Sequence, residues 1–386
     1  MSNFPKKLQQ KLARRIADNT LRSLPEDKNL IDFSSNDYLG FARNKTIFLN
    51  TTAYLKEHQV VLNGSTGSRL LSGNHKTHTE LEAFLANFYL AEKALVFNSG
   101  YDANIGFFSA VPQRGDLIFY DEYIHASIRD GIKMSNAKQY KFAHNSIEDL
   151  KSKIKTISKS VESEVYIVTE SVFSMDGDTP DLNAFASFCA ENKFHLVVDE
   201  AHAIGVFGDT GKGLVHTLQL QNKVFARIIT FGKAIGCHGA AILGSERLKT
   251  YLVNFARSFI YTTGLSPHAI ATILVAYRFS IDLEGVEQQI LLKENINFFN
   301  QEVVRLQLSD LFILSTSAIH CCILPGNKEV KKLANKMQEN EFDIKAILSP
   351  TVPEGKERLR FCLHSYNSKK EITRVLSCLK KSIENE

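Results

Sequence analysis

No apolar run in this chain approaches the roughly 20 residues that a membrane-spanning helix requires. The longest lies around Ala269–Tyr277. The opening MSNFPKKLQQ is polar and has no apolar core, so it does not read as a secretory signal. Cysteine is sparse, with Cys189, Cys237, Cys321, Cys322, Cys362 and Cys378 the six present. None form a C-x-x-C pair, and their spacing fits neither a zinc site nor a disulfide framework. They read as reduced core residues of a cytosolic protein. A large excess of one charge is missing too: Lys and Arg total 46 against 42 for Asp and Glu, a net charge of +4 with no basic run. That excludes a nucleic-acid reading and leaves room for an anionic substrate. No G-x-G-x-x-G turn follows an early strand, which removes a nicotinamide-dependent dehydrogenase from consideration. Internal repeats and low-complexity tracts are absent as well.

What is present is long and ordinary in composition. A chain of 386 residues exceeds one small core and implies a large domain with one or two smaller ones. The apolar fraction of 44% and charged fraction of 23% are those of a globular enzyme. The first 45 residues, with a charged helical pattern and then Pro25, read as an N-terminal helix and arm. Residues 46–284 read as a large α/β domain and 285–386 as a small α+β domain. From Ala94 onward, short β-rich runs alternate with helical stretches. The runs are Ala94–Asn98, Leu117–Tyr120, Gln139–Phe142, Val165–Glu170, His195–Asp199, Arg227–Phe231 and Ala240–Gly244. Several are apolar on both faces, as strands buried in a mostly parallel sheet must be. Past Glu284 a long helical stretch leads to strand-like Ala318–Leu324, Asp343–Leu348 and Leu359–Leu363, then a closing helix from Lys369.

Ligands of open α/β sheets sit at the carboxyl ends of the strands, so the polar residues there are the candidates. Asn98-Ser99-Gly100-Tyr101 ends the first run and opens a helix whose N–H groups suit a phosphate. His125 lies past the second run, and Glu170, with Ser174 four residues on, ends the fourth. Asp199 ends the fifth, followed by His202, and Thr230-Phe231-Gly232-Lys233 ends the sixth. A lysine, a carboxylate, two imidazoles and a phosphate-binding turn on one edge are the parts a pyridoxal-phosphate site needs. The lysine condenses with the cofactor aldehyde, and the carboxylate keeps the pyridine nitrogen protonated so that the ring acts as an electron sink.

Nine segments carry a resemblance. They are DFSSNDYLG (Asp32–Gly40), GSTGSRLLSGN (Gly64–Asn74), NSGYDAN (Asn98–Asn104), HASI (His125–Ile128), KFAHN (Lys141–Asn145), TESVFSMDGD (Thr169–Asp178), VDEAHAIGV (Val198–Val206), TFGKAIG (Thr230–Gly236) and PTVPEGKERLR (Pro350–Arg360). In number, order and spacing they resemble the α-oxoamine synthases among the fold-type I pyridoxal-phosphate enzymes, and within them the branch that serves biotin synthesis. The resemblance implies pyridoxal 5'-phosphate as cofactor, with Lys233 as the Schiff-base lysine and Asp199 as the partner of the pyridine nitrogen. It implies His202 and Ser174 at the phenolic oxygen, His125 stacked on the ring, and Gly100, Tyr101 and Thr230 at the phosphate. Arg360 would grip the amino-acid carboxylate, with Asn36, Thr351 and Arg22 as further substrate contacts. Arg22 also reads as part of a solvated helix face. The site would lie at a homodimer interface, with Thr262 and Thr263 reaching the partner's phosphate. The implied reaction is decarboxylative condensation of an amino acid, L-alanine, with an acyl thioester of coenzyme A or an acyl-carrier protein, pimeloyl-CoA for this branch. Glycine C-acetyltransferase, serine palmitoyltransferase and 5-aminolevulinate synthase share that chemistry.

Other signals lead nowhere. His75 and His78 have an H-x-x-H spacing but no further ligand nearby, so no metal is expected. Gly208–Gly213 resembles a P-loop but has Gly213 where Ser or Thr is required. Two positions depart from the commoner family forms: His238, where a small residue is frequent, and Cys321, in a strand that often carries proline.

Overall fold

The computed structural model describes residues 4–18, 20–22, 24, 29–157 and 163–384; Pro25 of the arm lies outside them. The chain opens with α1 (Lys6–Ala17), β1 (Ile31–Asp32), α2 (Lys45–Glu57) and α3 (Lys76–Phe88). The alternating part follows: β2 (Lys93–Phe97), α4 (Gly100–Ala110), β3 (Leu117–Asp121), α5 (Ala126–Met134), β4 (Lys138–Phe142), α6 (Ile147–Thr156), β5 (Val165–Glu170), α7 (Leu182–Asn192), β6 (His195–Asp199), α8 (Leu214–Thr217), β7 (Ala226–Thr230) and β8 (Ala240–Gly244). Helices α9 (Glu246–Phe255), α10 (Arg257–Ile260), α11 (Pro267–Ile281) and α12 (Leu283–Arg305) lead to β9 (Ile319–Ile323), α13 (Asn327–Glu339), β10 (Phe342–Asp343), β11 (Lys345–Ile347), β12 (Arg358–Cys362) and α14 (Lys369–Glu384).

The large sheet has the order β2-β8-β7-β6-β5-β3-β4. Only β8 runs against its neighbours. Its reversal has a simple cause: residues 231–239 are too few for the crossover that a parallel neighbour needs. All seven β-rich runs form this sheet, and its inner strands are apolar because they are covered on both faces, whereas β4 at the edge is largely exposed. Along β5, Val165 and Ile167 pack into one core and Tyr166 and Val168 into another. Along β8, Ala240 and Ile242 face one way and Ala241 and Leu243 the other. Truncating a fully buried residue here, such as Ile167→Ala, costs about 2–5 kcal/mol.

The C-terminal sheet is antiparallel in the order β11-β12-β9, with Arg360 opposite Cys321. The arm is tied to this end of the molecule: β1 pairs with β10, Ile31 opposite Phe342. Our proposed division at residue 285 falls in the first turn of α12. No described helix is long and apolar enough to cross a membrane.

Candidate active site

Strands β2, β5, β6 and β7 end on one edge of the large sheet and release their polar residues into a cavity of about 200 Å³. Gly100, Tyr101, His125, Asp199, His202, Thr230 and Lys233 line it, together with Asn104, Ser127 and Glu170. Larger open clefts, of about 530 Å³ beside Asp32 and about 860 Å³ along α13, bring together no lysine, histidine and carboxylate.

Asp199 is buried at the end of the apolar strand β6, where a bare carboxylate is costly. It is satisfied by Asn104 Nδ2 at 3.0 Å and by the Ala201 N–H at 2.9 Å. The same Asn104 amide donates to Ser127 Oγ at 3.0 Å, and Ser127 Oγ lies 2.8 Å from His125 Nδ1. His125 also caps α5, its side chain accepting from the Ser127 N–H. The capping and cavity-lining positions are therefore the same one. Burial lowers the basicity of His125. Glu170 accepts from the His125 N–H. Burial, reinforced by the Asp199 carboxylate, pushes the Glu170 carboxyl well above its usual range.

Lys233 Nζ lies 2.7 Å from His202 Nε2, and His202 Nδ1 lies 2.8 Å from the Tyr38 hydroxyl. Tyr38 donates to Asn36 Oδ1 at 3.1 Å, and Arg360 Nη2 donates to the same oxygen at 3.1 Å. Burial, with the Lys233 charge adding to it, pulls His202 well below the usual imidazole range, so the ring is neutral. A neutral ring has one donor and one acceptor. The arrangement that serves every group has Lys233 donating to Nε2 and the Nδ1 proton going to Tyr38. Burial of the Lys233 amine lowers its pKa to about 8, against the opposing pull of Asp199 and Glu170. The arm reaches this chain because Ser35 Oγ pairs with His364 Nε2 at 3.1 Å and Asn367 Nδ2 with the Asp32 carbonyl at 3.0 Å.

The remaining predicted residues are spread around the cavity rather than in it. Arg360 is buried behind His202, its Nε donating to the Ser174 carbonyl at 2.7 Å. Ser174 thus meets the site through its backbone, and its side chain does not line the cavity. Thr262 Oγ1 and the Thr263 carbonyl accept from Asn98 Nδ2 of the same chain, at 3.0 and 2.7 Å, beside the start of α4. Thr351 is exposed on the turn after β11, and Arg22 is exposed after α1. His238 is exposed, whereas Cys321 is buried with its thiol 3.0 Å from the Met175 carbonyl. Reading the strand ends alone overlooks Asn104, Ser127 and Tyr38. All three lie inside the quoted segments, but only the fold reveals their partners.

The residues present fit pyridoxal phosphate. The cavity holds an amine of lowered basicity, a buried carboxylate and two weakly basic imidazoles. At its rim, α4 opens with Gly100, where an added Cβ would come within 3.7 Å of Thr230 Oγ1. Backbone donors at such a helix start suit an anion.

Known proteins resemble this chain over nearly all of its length. A family model described as aminotransferase class I and II matches residues 28–379. The 8-amino-7-oxononanoate synthase of Emericella nidulans is 38% identical over 96% of this chain and 92% of its own. A solved 8-amino-7-oxononanoate synthase from Francisella tularensis superposes with a TM-score of 0.77 and 29% identity, covering 93% of this chain and 99% of its own. A serine palmitoyltransferase from S. paucimobilis, solved with bound pyridoxal phosphate and myriocin, superposes with a TM-score of 0.88 over 98% of this chain and 97% of its own. At 23% identity that is a likeness of fold.

Proposed function

The chain belongs to the aminotransferase class I and II family and is a fold-type I pyridoxal-phosphate enzyme; from that premise we propose that it condenses L-alanine with a pimeloyl thioester. Carbon dioxide is lost and 8-amino-7-oxononanoate is formed, a step of biotin synthesis. The observation that carries the amino-acid half is the unbroken relay from Lys233 through His202, Tyr38 and Asn36 to Arg360. A lysine that would hold an amine-reactive aldehyde at one end and a buried guanidinium at the other match the two functional groups of an α-amino acid. Resemblance to synthases named for 8-amino-7-oxononanoate supports the choice of alanine and of the acyl donor.

When bound, the cofactor supplies an aldehyde for amines and a ring that delocalises the electron pair left at the α-carbon. Lys233 would hold it through its amine and, when free, would serve as the base for the substrate α-proton. An amine with a pKa of about 8 suits that work near neutral pH. Asp199 would pair with the ring nitrogen, and Asn104 keeps that carboxylate oriented. His125 would face the ring and His202 would serve its phenolic oxygen, while Ser174 would act through the carbonyl that holds Arg360. The N–H groups of Gly100 and Tyr101 and the Thr230 hydroxyl would hold the phosphate. Arg360, with Asn36, grips the substrate carboxylate, and Thr351 and Arg22 contact the acyl substrate. The working unit is a homodimer in the cytosol, with Thr262 and Thr263 completing the partner's phosphate site.

The test is an assay of thiol release with L-alanine, glycine and L-serine, each against acetyl, pimeloyl and palmitoyl thioesters of coenzyme A and of carrier protein. Fastest turnover with L-alanine and a pimeloyl donor is expected. Faster turnover with acetyl-CoA and glycine, or palmitoyl-CoA and serine, would reassign the chain to glycine C-acetyltransferase or serine palmitoyltransferase chemistry.

A further inference from the structure

KFAHN, the segment whose histidine has no part in the cavity, ends in a cluster of charges beside it. His144 Nδ1 lies 2.9 Å from Asp121 Oδ1, and its Nε2 lies 2.8 Å from Asp178 Oδ2. Asp121 is fully buried at the end of β3, and its other oxygen accepts from the Asn145 N–H at 2.7 Å. The Asn145 side chain donates to Asp178 Oδ2 at 2.7 Å. The imidazole is clasped between the rings of Tyr123 and Phe173, each centroid 4.5 Å away. Both nitrogens face carboxylates, so the ring can satisfy both only as the doubly protonated cation. The two carboxylates outweigh the effect of burial and hold it in that state.

Asp178 and Phe173 lie within a loop that has no regular structure of its own, residues 171–181. The loop is fastened on two sides. On the large-sheet side, among the described residues, His144 and Asn145 hold Asp178. On the other side the C-terminal unit holds everything between. Arg358 pairs with Asp176 and donates to the Met175 carbonyl at 2.8 Å. Ser315 and Ser317 donate to the Gly177 carbonyl at 2.8 and 2.9 Å. Arg360 Nε donates to the Ser174 carbonyl at 2.7 Å. Arg358 and Arg360 are two residues apart on β12 and so share one face of the strand.

We propose that His144 is a positioning residue for Arg360: by anchoring the 171–181 loop to the large sheet, it sets where the guanidinium meets the amino-acid carboxylate. The inference rests on the reading of Arg360 given above. His144, Asp176 and Asp178 also stand close enough together to suggest a metal site. That donor set is already engaged, since His144 spends both nitrogens on carboxylates and Asp176 is paired with Arg358. The protein's own cations occupy the place of an ion.

The experiment uses holoenzyme and reads amino-acid binding from the change in cofactor absorbance. His144→Gln keeps a polar side chain of similar size but loses the charge and one of the two donors. L-alanine is compared with L-alaninamide, which has the same α-carbon and no carboxylate. His144→Gln is expected to weaken L-alanine roughly tenfold, the scale of coupling between neighbouring residues. L-alaninamide and cofactor affinity should be unchanged. Combined with Arg360→Lys, the two losses should be clearly less than additive, because both act on one contact. Equal weakening of alanine and alaninamide, or additive losses, would show a general structural role and overturn the proposal. If Arg360→Lys weakens alanine but His144→Gln does not, the positioning role fails and the reading of Arg360 stands. If Arg360→Lys does not discriminate the two ligands, both fall. Asp178→Asn, which removes one carboxylate from the same clasp, repeats the test should His144→Gln not fold.

Discussion

A lysine ammonium in water gives up its proton near 10.5, and that is too high for a residue that must act as a nucleophile and then as a base. Burial of Lys233 in the cavity, against the opposing pull of Asp199 and Glu170, lowers the value to about 8. Only the neutral amine attacks an aldehyde. The rate at which the apo chain captures pyridoxal phosphate should therefore climb about tenfold per pH unit below pH 8 and level off above it. A rate still climbing toward pH 10.5 in stopped-flow absorbance would show an amine without this environment. Lys233→Ala should show no such capture and no turnover. Tyr38 is the residue of the site most fully buried, and it stands between His202 and Asn36. Removing its hydroxyl leaves a buried imidazole nitrogen without a partner, at a cost of about 1–3 kcal/mol. Tyr38→Phe should accordingly lower both turnover and thermal stability while the chain still binds cofactor. Unchanged turnover would mean that the relay does not hold His202 in its working orientation.

Among the elements, the strands of the large sheet were the most legible, because burial on both faces makes a strand apolar at every position, as in Val165–Val168. The polar residue closing such a run then stands out, and so Glu170, Asp199 and Thr230 were found from sequence. The backward course of β8 was not legible from its own residues, since Ala240–Gly244 is as apolar as its parallel neighbours. Contacts that join distant segments were not legible either. Tyr38 and His202 are 164 residues apart, and Arg358 and Asp176 are 182 apart. No local pattern marks such pairs, whereas a strand end marks itself. The loop after β5 is the element where this matters most. Its Gly177 has φ +76°, a conformation unfavourable for side chains, and an added Cβ would lie 2.1 Å from the Ile319 carbonyl oxygen on β9. Both faults act together in Gly177→Ala, which must strain the backbone and push the loop off the C-terminal sheet. A loss of several kcal/mol in urea unfolding is expected, on the scale of strain plus overpacking. A loss under 1 kcal/mol would show that the loop and β9 are not held as closely as the geometry requires.

At the scale of the whole molecule, helix α1 is out of keeping with the rest. None of its residues is buried, yet Leu8, Leu12 and Ile16 recur at helical spacing and are all exposed, with Phe4 just before them. A helix of 12 residues is marginal in water by itself, and its stability ordinarily comes from packing an apolar face. A second group of exposed apolar side chains lies on the segment that follows α2 and near the end of α10: Val61, Leu62, Leu70, Leu71 and Tyr261. Tyr261 adjoins Thr262 and Thr263, and Gly264 N–H bonds to the Gly67 carbonyl, so the two segments are joined beside the mouth of the site. Apolar patches of this kind mark interfaces. The homodimer we propose would cover both, α1 of one copy lying against its partner. The charge that α1 carries, with Lys6, Lys7, Lys11, Arg14 and Arg15 on its other positions, keeps the uncovered side in water. Sedimentation should accordingly report a dimer at assay concentrations. The double substitution Leu8→Glu and Leu12→Glu should shift it to monomer, with fold preserved by circular dichroism because α1 buries nothing in its own chain. Since Thr262 and Thr263 are proposed to complete the partner's phosphate site, the monomer should also bind cofactor more weakly, and activity should fall on dilution over the same range in which the dimer dissociates. A monomeric variant with full activity and undiminished cofactor affinity would separate the two halves of that argument and leave each chain with a complete site of its own.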